Sequence, residues 1–238
     1  MNRLDNQTYT LNVSNARAYI YSAAFAVFAL LAPAAAPAAA QAFSAEASIR
    51  ALQDSKPEAR GAAADALGGN QASVGVEPLL AALGREQVPS VRAAMISALG
   101  AIRDRRAVPA LAEIARRDAD LGARTAALSA LSRIGGAPAI AAVESLAQDA
   151  SQPAAIRAKS LDIVERRKGH ASLGTLSGAA RSSDPVVRRE AIRALGRIRD
   201  PRAEAELQNA LSDKDPEVRK AARTMIDRRS KKKTGGKD

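Results

Sequence analysis

The sequence predicts an all-α fold, a right-handed α-solenoid of about five helix pairs with a capping helix at each end. Three observations predict it. The apolar residues, 47% of the chain, are dominated by alanine, leucine, isoleucine and valine, with no tryptophan or cysteine. Alanine and leucine favour helix, and small side chains let helices approach closely. An arginine returns at a nearly constant interval, and an apolar stripe of helical period follows each copy. Self-similarity at this period marks stacked helix pairs that share one continuous core.

Residues 1–42 read as an export signal. A polar stretch carries Arg3 and Arg17 against Asp5, an apolar run follows from Ala18 to Ala32, and Pro33 and Pro37 lead to Ala40-Gln41-Ala42. The small residues at the ends of that last triplet are those a signal peptidase requires, so cleavage is expected after Ala42. This places the mature chain in the periplasm or outside the bacterial cell. The alternative is an inner-membrane anchor formed by residues 18–40, which are long and apolar enough to span a bilayer.

Ser48 to Ser55, with Ile49 and Leu52, reads as a lone capping helix in front of the repeats. The register is then set by Arg60, Arg92, Arg124, Arg157, Arg188 and Arg219, spaced by 32, 32, 33, 31 and 31 residues. Three residues after each arginine comes a mostly small residue: Ala63, Met95, Ala127, Ser160, Ala191 and Ala222. Four residues after it stand Ala64, Ile96, Leu128, Leu161 and Ile192, with Arg223 in the last copy. Seven residues after it stand Leu67, Leu99, Leu131, Val164, Leu195 and Ile226. This is the stripe of a helix buried on one side.

Those first helices are expected to end at glycines, as at Gly68, Gly100, Gly135 and Gly169, or at a turn such as Arg199-Asp200-Pro201. A second apolar stretch follows in each unit, anchored by Leu80 and Leu83, Leu111 and Ile114, Val143 and Leu146, Leu173 and Leu176, and Leu207 and Leu211. Asp184-Pro185 and Asp215-Pro216 open the next first helices, the aspartate accepting from free backbone N–H groups and the proline standing where no donor is needed. Pro216 to Arg229 is a first helix without a partner, and its polar Arg223 suits an exposed closing cap. The domain reading is therefore 1–42 signal, 43–229 solenoid and 230–238 basic disordered tail.

The segment from Asp184 through Val186-Val187-Arg188-Arg189-Glu190-Ala191-Ile192 to Ala194-Leu195-Gly196 and Asp200-Pro201-Arg202-Ala203 closely resembles the HEAT-like repeat named after phycobilisome lyases. Ser90 to Leu111 is similar. The resemblance covers roughly residues 45–229. Repeat four departs from it, with Glu165-Arg166-Arg167 in place of the usual small residue and glycine. Members of this family include bilin-attaching lyases, deoxyhypusine hydroxylase, DNA glycosylases and binding scaffolds, so the resemblance implies the fold and leaves function to the site. In related arrays the repeated arginine forms a ladder of charge-assisted hydrogen bonds between repeats. That structural role is expected of Arg60, Arg92, Arg124, Arg157, Arg188 and Arg219 here, since partner binding does not demand one residue in every copy.

The residue inventory argues against catalysis and cofactors. A di-iron hydroxylase site needs several histidines, and this chain has one, His170, expected as a surface or capping residue. No serine has an evident partner motif for nucleophilic attack, and the scarcity of aromatics weakens any pocket for a bilin. No catalytic, cofactor-binding or metal-binding residue is assigned.

Charge is concentrated at the C-terminal end. From Arg181 onward stand 17 cations and 10 anions, against 17 and 14 over residues 43–180. This end is a candidate for contact with an anionic lipid or envelope polymer. The export signal and the lack of stacking aromatics argue against nucleic acid as a partner. The leading functional reading is an exported, non-catalytic protein-binding scaffold. In related arrays the second helices line the binding side, which makes Glu113, Arg116, Glu144, Gln148, Arg181 and Gln208 the candidate contacts. The alternative is a lyase-like or enzyme-accessory protein, and a third reading is a binder of anionic envelope surface.

Overall fold

Aspartate and proline set where many of the helices begin. Asp184 accepts hydrogen bonds from the N–H groups of Val186 (2.8 Å) and Val187 (3.3 Å), Asp215 from those of Glu217 (2.8 Å) and Val218 (3.2 Å), and Asp120 from those of Gly122 (2.9 Å) and Ala123 (3.1 Å). Each satisfies amide groups that the first helical turn leaves unpaired. The computed structural model describes residues 43–234; residues 1–42, where an export signal is expected from the sequence, lie outside the described residues. Helix α1 (Ala45–Ala51) comes first. Five pairs follow: α2 (Pro57–Gly69) with α3 (Val76–Leu83), α4 (Pro89–Ile102) with α5 (Val108–Arg117), α6 (Leu121–Ile134) with α7 (Gly136–Gln148), α8 (Ala154–Lys168) with α9 (Leu173–Ala179), and α10 (Pro185–Leu195) with α11 (Pro201–Ala210). Helix α12 (Pro216–Thr234) closes the array, and no strand occurs among the described residues. The fold is an all-α solenoid.

The stripe that follows each arginine is the core. Ala64, Leu67, Met95, Ile96, Leu99, Ala127, Leu128 and Leu131 have no solvent exposure, nor do Leu161, Val164, Ala191 and Leu195. In the closing helix Ala222 is buried, whereas Arg223 is exposed and Ile226 half-buried. Second helices bury a narrower face. Leu111, Val143, Leu146, Leu173, Leu176 and Leu207 are buried as expected, but in α3 the fully buried leucine is Leu79, and Leu80 stands half out of the core.

Two of the expected helix-ending glycines have a different job. Gly68 and Gly100 lie inside α2 and α4, not after them. A Cβ on Gly68 would sit 2.7 Å from the Cα of Ala98, and one on Gly100 would sit 2.7 Å from the Cα of Ala130. Successive first helices therefore approach to near backbone contact, and a hydrogen atom is the only side chain that fits. Helices α4, α6 and α8 end where φ turns positive: Arg103 (59°), Gly135 (68°) and Gly169 (52°). The last two are as expected from the sequence, since glycine takes that conformation at no steric cost.

Helix α8 interrupts this regularity. Ser160 occupies a position that is alanine or methionine in the other repeats, and its buried Oγ has no hydrogen-bond partner. Glu165 occupies the place of Gly68, Gly100 and Gly196; it is buried and accepts from Arg197 Nε at 2.6 Å. The buried apolar side chains accordingly form two groups that meet on this helix. Ile156, Ile163 and Val164 belong to the N-terminal group, and Leu161 belongs to the C-terminal one.

Helix α12 runs to Thr234, into the stretch 230–238 expected as a basic tail, of which residues 235–238 lie outside the described residues. Within this helix the Arg229 guanidinium donates to the carbonyls of Leu195 (2.7 Å), Gly196 (3.1 Å) and Ile198 at and just past the end of α10, and to the carboxylate of Glu204 at 2.5 Å.

Candidate binding surface

Each repeated arginine stands near the start of a first helix and turns its guanidinium toward the loop before it. Arg60 donates to the carbonyls of Asp54 (2.9 Å) and Ser55 (3.1 Å) and grips both carboxylate oxygens of Glu86 at 2.6 and 2.9 Å. Arg92 donates to the carbonyls of Leu83 (3.3 Å) and Glu86 (3.2 Å) and to the Asp118 carboxylate. Arg124 reaches the Ala115 carbonyl at 3.1 Å and the Gln152 side-chain oxygen. Arg157 reaches the Ala147 carbonyl at 3.3 Å and Ser182 Oγ at 3.2 Å. Arg188, buried, donates to the carbonyls of Ser182 and Ser183, both at 3.0 Å, and to the two Asp213 oxygens at 2.9 and 2.8 Å. Arg219 takes the carbonyls of Asp213 (2.7 Å) and Lys214 (3.0 Å).

Glu86, Ser182 and Asp213 thus each join two arginines, the side chain accepting from one and the carbonyl from the next. These side-chain acceptors were not singled out by the arginine register. Their signal is nonetheless in the sequence: Glu86, Asp118, Ser182 and Asp213 each stand six residues ahead of the next arginine, and Gln152 stands five ahead. The same acceptors also tie down the loops. Glu86 accepts from the N–H groups of Gln87 (3.0 Å) and Val88 (2.9 Å), and Asp213 from that of Asp215 (2.8 Å). The hydrogen bond from Arg60, aided by those amides and opposed by burial, holds the Glu86 carboxyl down to about 2. Asp213 is held below the ordinary carboxylate range chiefly by Arg188.

The six candidate contact residues lie along the second-helix row and do not converge on one pocket. On α5, Glu113 is exposed and pairs with Arg117 at 3.2 Å, while Arg116 is half-buried. On α7, Glu144 accepts from Lys168 Nζ at 2.7 and 2.9 Å and from the Thr175 hydroxyl, and Gln148 lies 3.5 Å from Thr175 Oγ1. Burial pushes the Glu144 carboxyl up, but the bonds from Lys168 and Thr175 together outweigh it and leave it lowered. Arg181, just past α9, donates to the Ser177 carbonyl (3.1 Å) and to Glu206 of α11 (2.6 Å). Gln208 donates to Glu204 at 3.2 Å. Thr175 and Glu206, which the sequence reading did not name, therefore link neighbouring second helices.

His170 is exposed on the short 3-10 turn Gly169–Ser172. Among the described residues, no group of three or more histidine, aspartate or glutamate side chains is arranged to hold a metal ion, and no helix is long and apolar enough to cross a membrane.

The chain is similar in fold to TOG3 of Drosophila melanogaster Mini spindles, with a TM-score of 0.52 and 18% identity over 76% of this chain and 92% of that one. The CpcE and CpcF complex of phycocyanin lyase from Nostoc gives a TM-score of 0.49 and 23% identity over 75% of this chain and 74% of that one. Human deoxyhypusine hydroxylase gives 0.44 and 21% over 77% and 83%. At 18% identity the likeness to TOG3 is one of fold alone. No curated protein matches the sequence. Residues 76–162 and 173–234 match the HEAT-repeat family, and the stretch between them contains the Glu165-Arg166-Arg167 departure. With more than half of its length matched in this way, the chain belongs to the HEAT-repeat family.

Proposed function

We propose that this protein is an exported, non-catalytic scaffold whose HEAT repeats, of the phycobilisome-lyase type, bind a protein partner along the second-helix row. The observation that carries the reading is a contrast between constant and varied positions. The buried stripe repeats the same small or aliphatic residues from copy to copy, as a common core demands. The exposed positions of the second helices vary: 17 residues after the repeat arginine stand Glu77, Pro109, Ala141, Gly174 and Ala205, and 21 residues after it stand Ala81, Glu113, Ser145, Gly178 and Asn209. Packing requires sameness, whereas recognition of an irregular partner surface requires difference. The motif of residues 184–203 supports the repeat type, and residues 1–42 support export.

A photocrosslinking amino acid placed at Glu113, Gln148 or Gln208 tests the reading in the cells that make the protein. The same label at Asp65 and Ser97, exposed on first helices, serves as the comparison. A defined protein adduct from the second-helix positions is expected, with none from Asp65 or Ser97. Adducts from the first helices alone, or from no position, overturn the scaffold reading. The mass of the mature N-terminus is expected to begin at Phe43, and an intact Met1 overturns cleavage.

A further inference from the structure

Like Arg124 and Arg219, Arg157 donates to no carboxylate, and its side-chain acceptor, unlike that of Arg124, is not itself bonded to one. Its two side-chain partners are neutral, the Ala147 carbonyl and Ser182 Oγ, and no ion pair among the described residues includes it. One repeat later the corresponding acceptor is Asp213, which takes two hydrogen bonds from Arg188. One repeat earlier Arg124 donates to Gln152, and Gln152 in turn donates to Asp149 at 2.9 Å, so a carboxylate stands one bond away. Serine at 182 shortens the acceptor and removes the anion.

The same guanidinium lines a groove of 260 Å³ between α7 and α9, together with Gln148, Gly174, Thr175 and Gly178. A Cβ at Gly174 or at Gly178 would have nothing within 4 Å, so α9 places no side chain across the opening at either position. Glu144, one turn before Gln148 on α7, is paired with Lys168 at 2.7 Å and accepts from the Thr175 hydroxyl at the edge of the groove, so its charge is already met by a cation and a donor. A partly buried guanidinium with unused donors, beside an open groove, is matched by an anion that forms charge-assisted hydrogen bonds in a medium less polar than water.

We propose that this groove receives an aspartate or glutamate side chain of the protein partner, whose carboxylate does for Arg157 what Asp213 does for Arg188. The inference rests on the protein-binding reading and adds the partner's chemistry, an acidic residue on an exposed segment. Gln148 Nε2 lines the approach and offers a further donor, while the Thr175 hydroxyl is already given to Glu144.

The test follows the Arg157 Nε–H resonance of the mature chain by NMR during titration with a capped pentapeptide, Gly-Ser-Glu-Ser-Gly, and with its glutamine counterpart. The glutamate peptide is expected to move that resonance saturably, and the glutamine peptide is not. Ser182→Asp supplies the missing carboxylate from within and should weaken the response about tenfold or more while raising Tm. Ser182→Asn, without the charge, should retain it. Gly178→Leu should close the groove and remove the response, with the circular dichroism of the chain unchanged. Equal responses to the two peptides, no response to either, or full response in Ser182→Asp overturns the proposal. An equal response to inorganic phosphate overturns the assignment to a partner carboxylate. Crosslinking from the second-helix row without a peptide response defeats this inference alone, whereas a peptide response without crosslinking defeats the scaffold reading.

Discussion

Gly100 in α4 lies so close to Ala130 in α6 that a Cβ on the glycine would stand 2.7 Å from the alanine Cα. Gly100→Ala must therefore push the two helices apart, and the expected loss of stability is about 1–3 kcal/mol. Gly61 in α2 makes the contrasting case, because a Cβ there meets nothing within 4 Å. Gly61→Ala should stabilise by about 0.5–1 kcal/mol, since alanine is the better helix former. Urea denaturation of the two variants checks both signs, and equal effects would mean that the first helices are not in backbone contact.

The rungs of the arginine ladder should differ in strength. Arg188 is buried and held bidentately by Asp213, so Arg188→Ala leaves a shielded carboxylate without its cation and should cost about 3–5 kcal/mol. Arg157 and Arg124 donate to neutral acceptors, and Arg157→Ala and Arg124→Ala should cost about 1–2 kcal/mol each. Thermal unfolding of the three variants gives the order. An unchanged Tm in all three would remove the structural role of the repeated arginine.

Acid should loosen the first repeat through Glu86. Its folded carboxyl titrates at about 2, below the ordinary value of 4.5, because Arg60 donates to it. A depressed folded pKa gives stability that is complete above the unfolded value and disappears as pH falls through the folded one. The contribution should be full at pH 6 and decline from about pH 5 toward pH 2. Glu86→Gln should lower stability at pH 6, and the gap between it and the parent should narrow over that window. Chemical denaturation at several pH values measures the gap, and a constant gap refutes the linkage.

Arg229 should act as a structural clasp on α10. Arg229→Ala removes the donor to the carbonyls of Leu195, Gly196 and Ile198 and is expected to cost about 2 kcal/mol, with faster amide exchange confined to α10 through α12. Arg228→Ala, at the neighbouring exposed position, should leave exchange unchanged. Identical behaviour of the two variants would mean that the basic end acts only through its overall charge.

Much of the fold was legible because it depends on near neighbours along the chain. The interval between arginines, the apolar residues three, four and seven places later, and the aspartates ahead of the first helices are all encoded within a few residues. They fix helical phase, caps and register. The candidate surface was less legible. Glu144, Gln148 and Arg181 were named from their place on second helices, but their links through Thr175 and Glu206 involve residues from the neighbouring repeat.

By itself the sequence determined the repeat, its period and the faces its helices bury, since helix formation and apolar phase are local properties. Only the tertiary structure separated glycines that end helices from glycines that admit a neighbour. Gly135 turns the chain, while Gly100 makes room for Ala130, and nothing within either segment distinguishes them. The tertiary structure alone also decided which side chain answers each arginine and drew Arg229 back onto α10. Those outcomes depend on distances between residues 25 to 34 positions apart, which stacking brings together and local pattern does not encode.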